Sequence, residues 1–211
     1  MAAAPPKLYG LDIETDTTLD GLDPQVGRVL AVAVARGDGA EVLTDADEIA
    51  LLRRLDAHLA DLPAGVLVTW NGAGFDLPYL ATRADRLGVA LGLVLEPDRT
   101  RRSRHTPLPG HEGPYRARWH HHTHLDVYRS YQADVGPVLH MACSLKTVAR
   151  LAGLGPIEVD ATRVHALPPA ALDAYVASDA ACTRELALRR WPTVGPAVDV
   201  LADTRNAEAL R

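Results

Sequence analysis

Apolar and polar positions along the chain follow two periods, and the switches between them mark the elements. Residues 7–13 (Lys-Leu-Tyr-Gly-Leu-Asp-Ile) read as a first strand, Arg28 to Arg36 (RVLAVAVAR) as a second, and Glu41 to Leu43 as a short third. Gly37-Asp38-Gly39 between the last two is a tight-turn signal and predicts an antiparallel hairpin. From 46 to 60 the period becomes helical: Ile49, Leu52, Leu55 and Leu59 share a face, and Thr44 with Asp47 suggests a capping box. Val66 to Trp70 is a continuous apolar run of the kind a buried parallel strand presents. It ends in Asn71-Gly72-Ala73-Gly74, and a helix is predicted from Asp76 to Leu87.

Beyond that helix the pattern weakens. Residues 97–119 are rich in Pro, Gly and Arg, show no period, and are expected to form an irregular surface insertion. A strand near His122 to Val127, helical segments at 127–133 and 144–152, and a long final helix at 169–190 opening on Pro168-Pro169 complete the prediction. Residues 192–211 are expected to be a C-terminal tail or short helix. Three strands in a meander followed by alternating helices and strands predict an α/β fold, a mixed five-stranded sheet flanked by helices. No repeat or linker divides the chain, so one domain over 1–211 with a core at about 7–190 is expected.

Composition narrows the function classes. The 211 residues are 47% hydrophobic, enough for a core, with a net charge of -5 that argues against broad, non-specific duplex binding. A grip on the last few nucleotides of a strand remains compatible with that charge. Cys143 and Cys182 form neither a metal spacing nor a disulfide framework, and no run has the length of a signal peptide or a membrane span. A cytoplasmic protein without a membrane partner is therefore expected.

Three clusters carry candidate chemistry. In Leu11-Asp12-Ile13-Glu14, strand alternation puts Asp12 and Glu14 on one face, where two adjacent carboxylates repel unless a cation lies between them. A solvated strand end is the plainer reading. Trp70 to Tyr79 (WNGAGFDLPY) sets two glycines, an amide and Asp76 where a buried strand turns into a helix, a usual ligand position in open α/β sheets; Asp76 as a simple helix cap is the alternative. On the last helix Tyr175 and Asp179 are four residues apart, on the stripe of Leu172, Cys182 and Leu186. A buried aspartate there needs a partner, either a cation or an arginine at the helix margin. Four carboxylates gathered at one sheet edge would meet the requirement of a two-metal phosphoryl-transfer site.

At these residues the chain resembles the DEDD superfamily of 3′→5′ exonucleases, which have the ribonuclease H-like fold. Asp12-Ile13-Glu14 matches the first motif, and Asn71 to Tyr79 resembles the second motif of proofreading domains of family B DNA polymerases. Tyr175 to Asp179 matches the third motif in its tyrosine subclass; the histidine subclass is disfavoured because position 174 is alanine. Asp126 in Leu-Asp-Val-Tyr and the segment Ser144–Gly153 resemble the region between the second and third motifs. The resemblance covers roughly residues 7–190. It implies hydrolysis of phosphodiester bonds at nucleic-acid 3′ ends, single-stranded or frayed, with two Mg²⁺ or Mn²⁺ ions. Asp12, Glu14 and Asp179 would hold one ion, Asp12 and Asp76 the other, and Tyr175 would orient or deprotonate the attacking water. Asn71 and Phe75 would contact the terminal nucleotide. DNA is the substrate the resemblance points to, although nothing in the residues separates DNA from RNA, and replication or repair proteins are the implied partners.

Two features stand outside the motifs. Arg99, Arg101, Arg102, Arg104, Arg116 and Arg118 cluster in the insertion; Arg101 and Arg102 are candidates for holding a single-strand backbone, against a plain solvated loop. His120, His121, His122 and His124 lack partners at zinc-site spacing and are expected as exposed imidazoles on a strand. Two other function classes compete with the exonuclease: a catalytically silent nucleic-acid-binding module of the same fold acting in a repair or replication complex, and an endonuclease of that fold.

Overall fold

The computed structural model describes residues 6–99, 106–140 and 142–198. Its strands are β1 (Leu8–Thr15), β2 (Val29–Arg36), β3 (Gly39–Thr44), β4 (Gly65–Thr69), β5 (Leu93–Pro97), β6 (Tyr115–Trp119) and β7 (His122–Asp126). They form one mixed sheet in the order β3-β2-β1-β4-β7-β6-β5. The pairs β1/β4 and β4/β7 are parallel and all others antiparallel. Helices α1 (Glu48–Asp61) and α2 (Asp76–Leu87) precede β5; α3 (Val127–Leu139), α4 (Leu145–Leu151) and α5 (Pro169–Val194) follow β7.

Side-chain alternation decides what each face of the sheet meets. Leu11 and Ile13 of β1, Val32 and Val34 of β2, and Leu67 of β4 pack against Leu51, Leu52, Leu55 and Leu59 of α1 and Leu77 and Leu80 of α2. The opposite face carries Leu8, Val66 and Val68, which pack with Val148 of α4 and Leu186 and Trp191 of α5. On that face β2 presents only Ala31, Ala33 and Ala35, against Val176 and Ala180 of α5. Gly10 continues the small surface onto β1, where an added Cβ would lie 2.1 Å from the Ala180 carbonyl oxygen. Small residues thus bring the α5 backbone close to β1, and Asp12 and Glu14 share the face that Gly10 opens.

The sheet has seven strands where the sequence predicts five. The two additional strands, β5 and β6, pair antiparallel at the sheet edge. β5 ends at the start of the 97–119 segment expected to be irregular, and β6 lies wholly inside it, which corrects that expectation. Leu93 and Leu95 pack on the core with Ala117 and Trp119, while Glu96, Arg116 and Arg118 face outward. The period of two is present but hidden by charged outward positions and flanking prolines. The Thr44–Asp47 capping box is also corrected: Thr44 ends β3, and Asp47 alone caps α1, its carboxylate accepting the Ile49 N–H at 2.9 Å.

The expected exposed histidines divide. His122 is fully buried with Nε2 against the Leu59 carbonyl at 2.8 Å, because its strand position points into the core beneath α1. Helix α3 runs past 133 and α5 past 190, to Val194, and a 3-10 turn at Gly195–Ala197 follows. The rest of the expected tail, from 199, lies outside the described residues, as do Arg101, Arg102 and Arg104. No helix among the described residues is long and apolar enough to cross a membrane.

Candidate active site

The sheet edge where β1 and β4 end gathers the acidic side chains. Asp12 and Glu14 project from β1 toward α5, and Asp179 projects from the sheet-facing stripe of α5. Ligand oxygens of Asp12, Glu14 and Asp179 all lie within 4.8 Å of one another. Asp76, the first residue of α2, is buried and approaches from the β4 side, near enough to the Ile13 backbone for that amide to favour its charged form. It lies outside that 4.8 Å group, yet among the neighbours of Asp12 its charge acts most strongly. Phe75, not Asp76, occupies the cap position of α2, so the Asp76 carboxylate is free of the capping duty its place in the sequence suggested.

Burial and mutual repulsion dominate the electrostatics. Burial first, then Asp76, Asp179 and Glu14, push the Asp12 carboxyl well above the usual range. Glu14 is pushed up to about 8 by burial and by Asp179. Asp76 rises to about 7 through burial, opposed by its own amide and the Ile13 backbone. Burial raises Asp179 as well, opposed by Lys146. A divalent ion fits this donor set: every ligand is a carboxylate oxygen, the type hard cations such as Mg²⁺ and Mn²⁺ take. The surplus negative charge is the property such an ion relieves.

Tyr175 lies one helical turn before Asp179 and is buried. Burial, then Glu14, Asp179 and Asp12, raise its hydroxyl far above the usual value, so it stays protonated. Lys146 of α4 was not singled out from the sequence. Its ammonium pairs with Asp179 and sits 4.3 Å from the centre of the Tyr175 ring. It also opposes the charge on Asp12 and Glu14. The available signal was its rarity, since Lys7 and Lys146 are the chain's two lysines.

The turn before α2 opens onto a cleft of about 830 Å³ lined by Leu22, Asn71, Phe75, Leu108, Tyr128 and Gln132, with none of the four carboxylates in its lining. Asn71 and Phe75 therefore line the same cavity. Asn71 adopts a left-handed conformation, φ 66, which Asn tolerates better than most residues. Phe75 packs on Tyr79 with ring centres 5.4 Å apart. Of the arginine cluster, Arg116 and Arg118 lie exposed on β6, where Arg118 is 3.7 Å from Glu96.

Residues 29–148 match the family model for the exonuclease domain of DNA polymerase family B. A DNA polymerase of Pyrococcus glycovorans is 32% identical over 98 residues, covering 41% of this chain and 12% of the relative. The catalytic subunit of DNA polymerase epsilon from Kluyveromyces lactis is 29% identical over 160 residues, covering 70% of this chain and 6% of the relative. The chain thus spans a small part of the curated relatives it matches. The solved family B DNA polymerase of Pyrobaculum calidifontis superposes with a TM-score of 0.70 at 25% identity, over 91% of this chain and 25% of that one. With over half its length matched by the family model and its fold shared with such a polymerase, the chain belongs to the family of exonuclease domains of family B DNA polymerases.

Proposed function

We propose that this chain is a metal-dependent 3′→5′ exonuclease that hydrolyses the terminal phosphodiester bond of DNA strands. The observation that carries the reading is the meeting of Asp12, Glu14 and Asp179 oxygens within 4.8 Å, with Asp76 acting on Asp12 from the other side. Asp12, Glu14 and Asp179 would hold one divalent ion, and Asp12 with Asp76 would hold a second. Bound together, two such ions supply charge stabilisation to the attacking and leaving oxygens of an in-line displacement.

The remaining work belongs to the chain's own groups. Tyr175 keeps its proton and orients the attacking water; its raised hydroxyl makes it a poor base at neutral pH. Lys146 holds Asp179 in place and moderates the negative field that would otherwise repel a phosphate. Asn71 and Phe75 seat the terminal nucleotide in the cleft, with Phe75 and Tyr128 as ring surfaces for a base. A carboxylate-lined centre behind an aromatic cleft suits a frayed or single strand better than a paired end. Replication or repair proteins that expose such ends are the partners this reading implies.

The test uses 3′-labelled DNA and RNA oligonucleotides, single- and double-stranded, incubated with Mg²⁺, Mn²⁺ or chelator. Mononucleotide release from single-stranded DNA is expected, lost with chelator and in Asp12→Ala and Asp179→Ala. Binding without hydrolysis, unaffected by chelator, would instead establish a catalytically silent module.

A further inference from the structure

The turn between β4 and α2 presents three successive backbone N–H groups, and each is taken by a side chain. The Asn71 N–H donates to Asp126 Oδ1 at 2.9 Å, and the Ala73 N–H reaches Asp126 Oδ2 at 3.4 Å. Between them the Gly72 N–H donates to Thr69 Oγ1 at 3.1 Å, and that hydroxyl shares a 2.8 Å hydrogen bond with His124 Nε2. Gly72 is required here, since a Cβ would lie 2.3 Å from Thr69 Oγ1. Asp126 and His124 both belong to β7, the strand paired parallel to β4, with Thr69 opposite Asp126.

The holding groups are themselves fixed. Asp126 is buried and faces Arg129 Nε at 3.6 Å, while Arg129 Nη1 lies 3.2 Å from the buried carboxylate of Asp98. A carboxylate pinned by a guanidinium on one side and two amides on the other has little freedom to turn. The turn it holds contains Asn71 in a left-handed conformation, φ 66, which Asn adopts more readily than most residues.

The geometry points to Asp126 as a positioning residue of the nucleotide-binding cleft, fixing the Asn71–Ala73 turn through its two oxygens with Thr69 and His124 as the second hold. The assignment rests on the exonuclease reading for its substrate and on the structure alone for the hold itself. Asp126 neither lines the Asn71–Phe75 cleft nor belongs to the 4.8 Å carboxylate group, so its effect reaches the cleft through Asn71 and through its ion-pair partner Arg129, which lines the same cleft. Asp76 begins α2 beyond the three held amides and feels its own burial more than the charge of Asp126, so loosening the turn should weaken nucleotide seating more than chemistry.

Asp126→Asn tests this, because an amide keeps the size but turns an NH₂ toward one of two donors. Thr69→Val, which removes the Gly72 acceptor and the partner of His124 Nε2 while leaving Asp126 in place, is the second variant should the first fail to fold. Amide hydrogen exchange by NMR is read together with KM and kcat on single-stranded DNA, and with the affinity for a 5′-fluorescein oligothymidylate in Ca²⁺. In Asp126→Asn the Asn71 and Ala73 amides should exchange at least about tenfold faster while those of Val66–Val68 stay protected. KM and Kd should rise about tenfold with kcat changed less than about threefold. Thr69→Val should show the same pattern centred on Gly72.

Unchanged exchange at Asn71 and Ala73, or released amides with unchanged KM and Kd, would overturn the assignment. An equal loss in kcat with KM unchanged would do so too. Wild-type protein that hydrolyses no 3′ end would sink the exonuclease reading alone, the exchange and Ca²⁺ binding measurements still deciding this one.

Discussion

Glu14→Gln should stabilise the metal-free protein while abolishing its activity. Glu14 is held at about 8 against an ordinary 4.5, because burial and the charge of Asp179 disfavour its ionised form. The folded state therefore binds this proton more tightly than the unfolded chain does. The contribution of Glu14 to stability in chelator is fully present below about pH 4.5 and is lost as pH rises toward 8. At roughly 1.4 kcal/mol per pH unit, the upper bound on the cost at pH 7 is roughly 3 kcal/mol. Glu14 retains partial solvent access, so about 1–2 kcal/mol is the expected share, or a rise of about 3–6 °C in Tm on replacement by Gln. Thermal melts of both proteins in EDTA, at pH 6 and pH 8, measure this. The wild type should lose more stability over that interval than Glu14→Gln. Saturating Mn²⁺ should reverse the order, since only the wild type has the full ligand set to gain binding free energy. A Glu14→Gln protein that melts lower than wild type in EDTA, or shows the same pH slope, would refute the repulsion argument.

Other substitutions separate the remaining roles. Tyr175→Phe should lower kcat by about 10²–10⁴-fold with Mn²⁺ affinity by calorimetry unchanged, since the hydroxyl orients water and ligates no ion. Lys146→Met should lower the metal-free melting temperature and also lower the Mn²⁺ concentration for half-maximal activity, because Asp179 loses its pairing cation and gains in field. Gly10→Ala forces a methyl toward the Ala180 carbonyl, 2.1 Å from an ideal Cβ. It should cost about 1–3 kcal/mol in denaturant titration and weaken Mn²⁺ binding as α5 carries Asp179 away from β1.

The parts of the site legible in sequence are those set by local geometry. Asp12 and Glu14 share a face because strands alternate, and Tyr175 and Asp179 share one because four residues make a helical turn. The WNGAGFD segment announced its strand-to-turn-to-helix path through its glycines. What escaped depends on contacts distant in sequence. Lys146 meets Asp179 across 33 positions, and Asp126 meets the Asn71 amide across 55, spacings that no local period encodes. The edge strands β5 and β6 were obscured for a different reason. Tyr115–Trp119 does alternate, but the prolines, glycines and further arginines around it mask so short a run, and on β5 the outward Val94 is apolar, which breaks the alternation although the pairing is regular. The burial of His122 likewise follows from which face its strand turns toward α1.

The central claim is that four carboxylates from β1, α2 and α5 jointly bind two cations. A Mn²⁺-soaked crystal recorded at the manganese absorption edge tests it directly. Two anomalous peaks roughly 4 Å apart are expected, one ligated by Asp12, Glu14 and Asp179 and the other by Asp12 and Asp76. Peaks elsewhere, or none at this edge of the sheet under saturating Mn²⁺, would contradict the account.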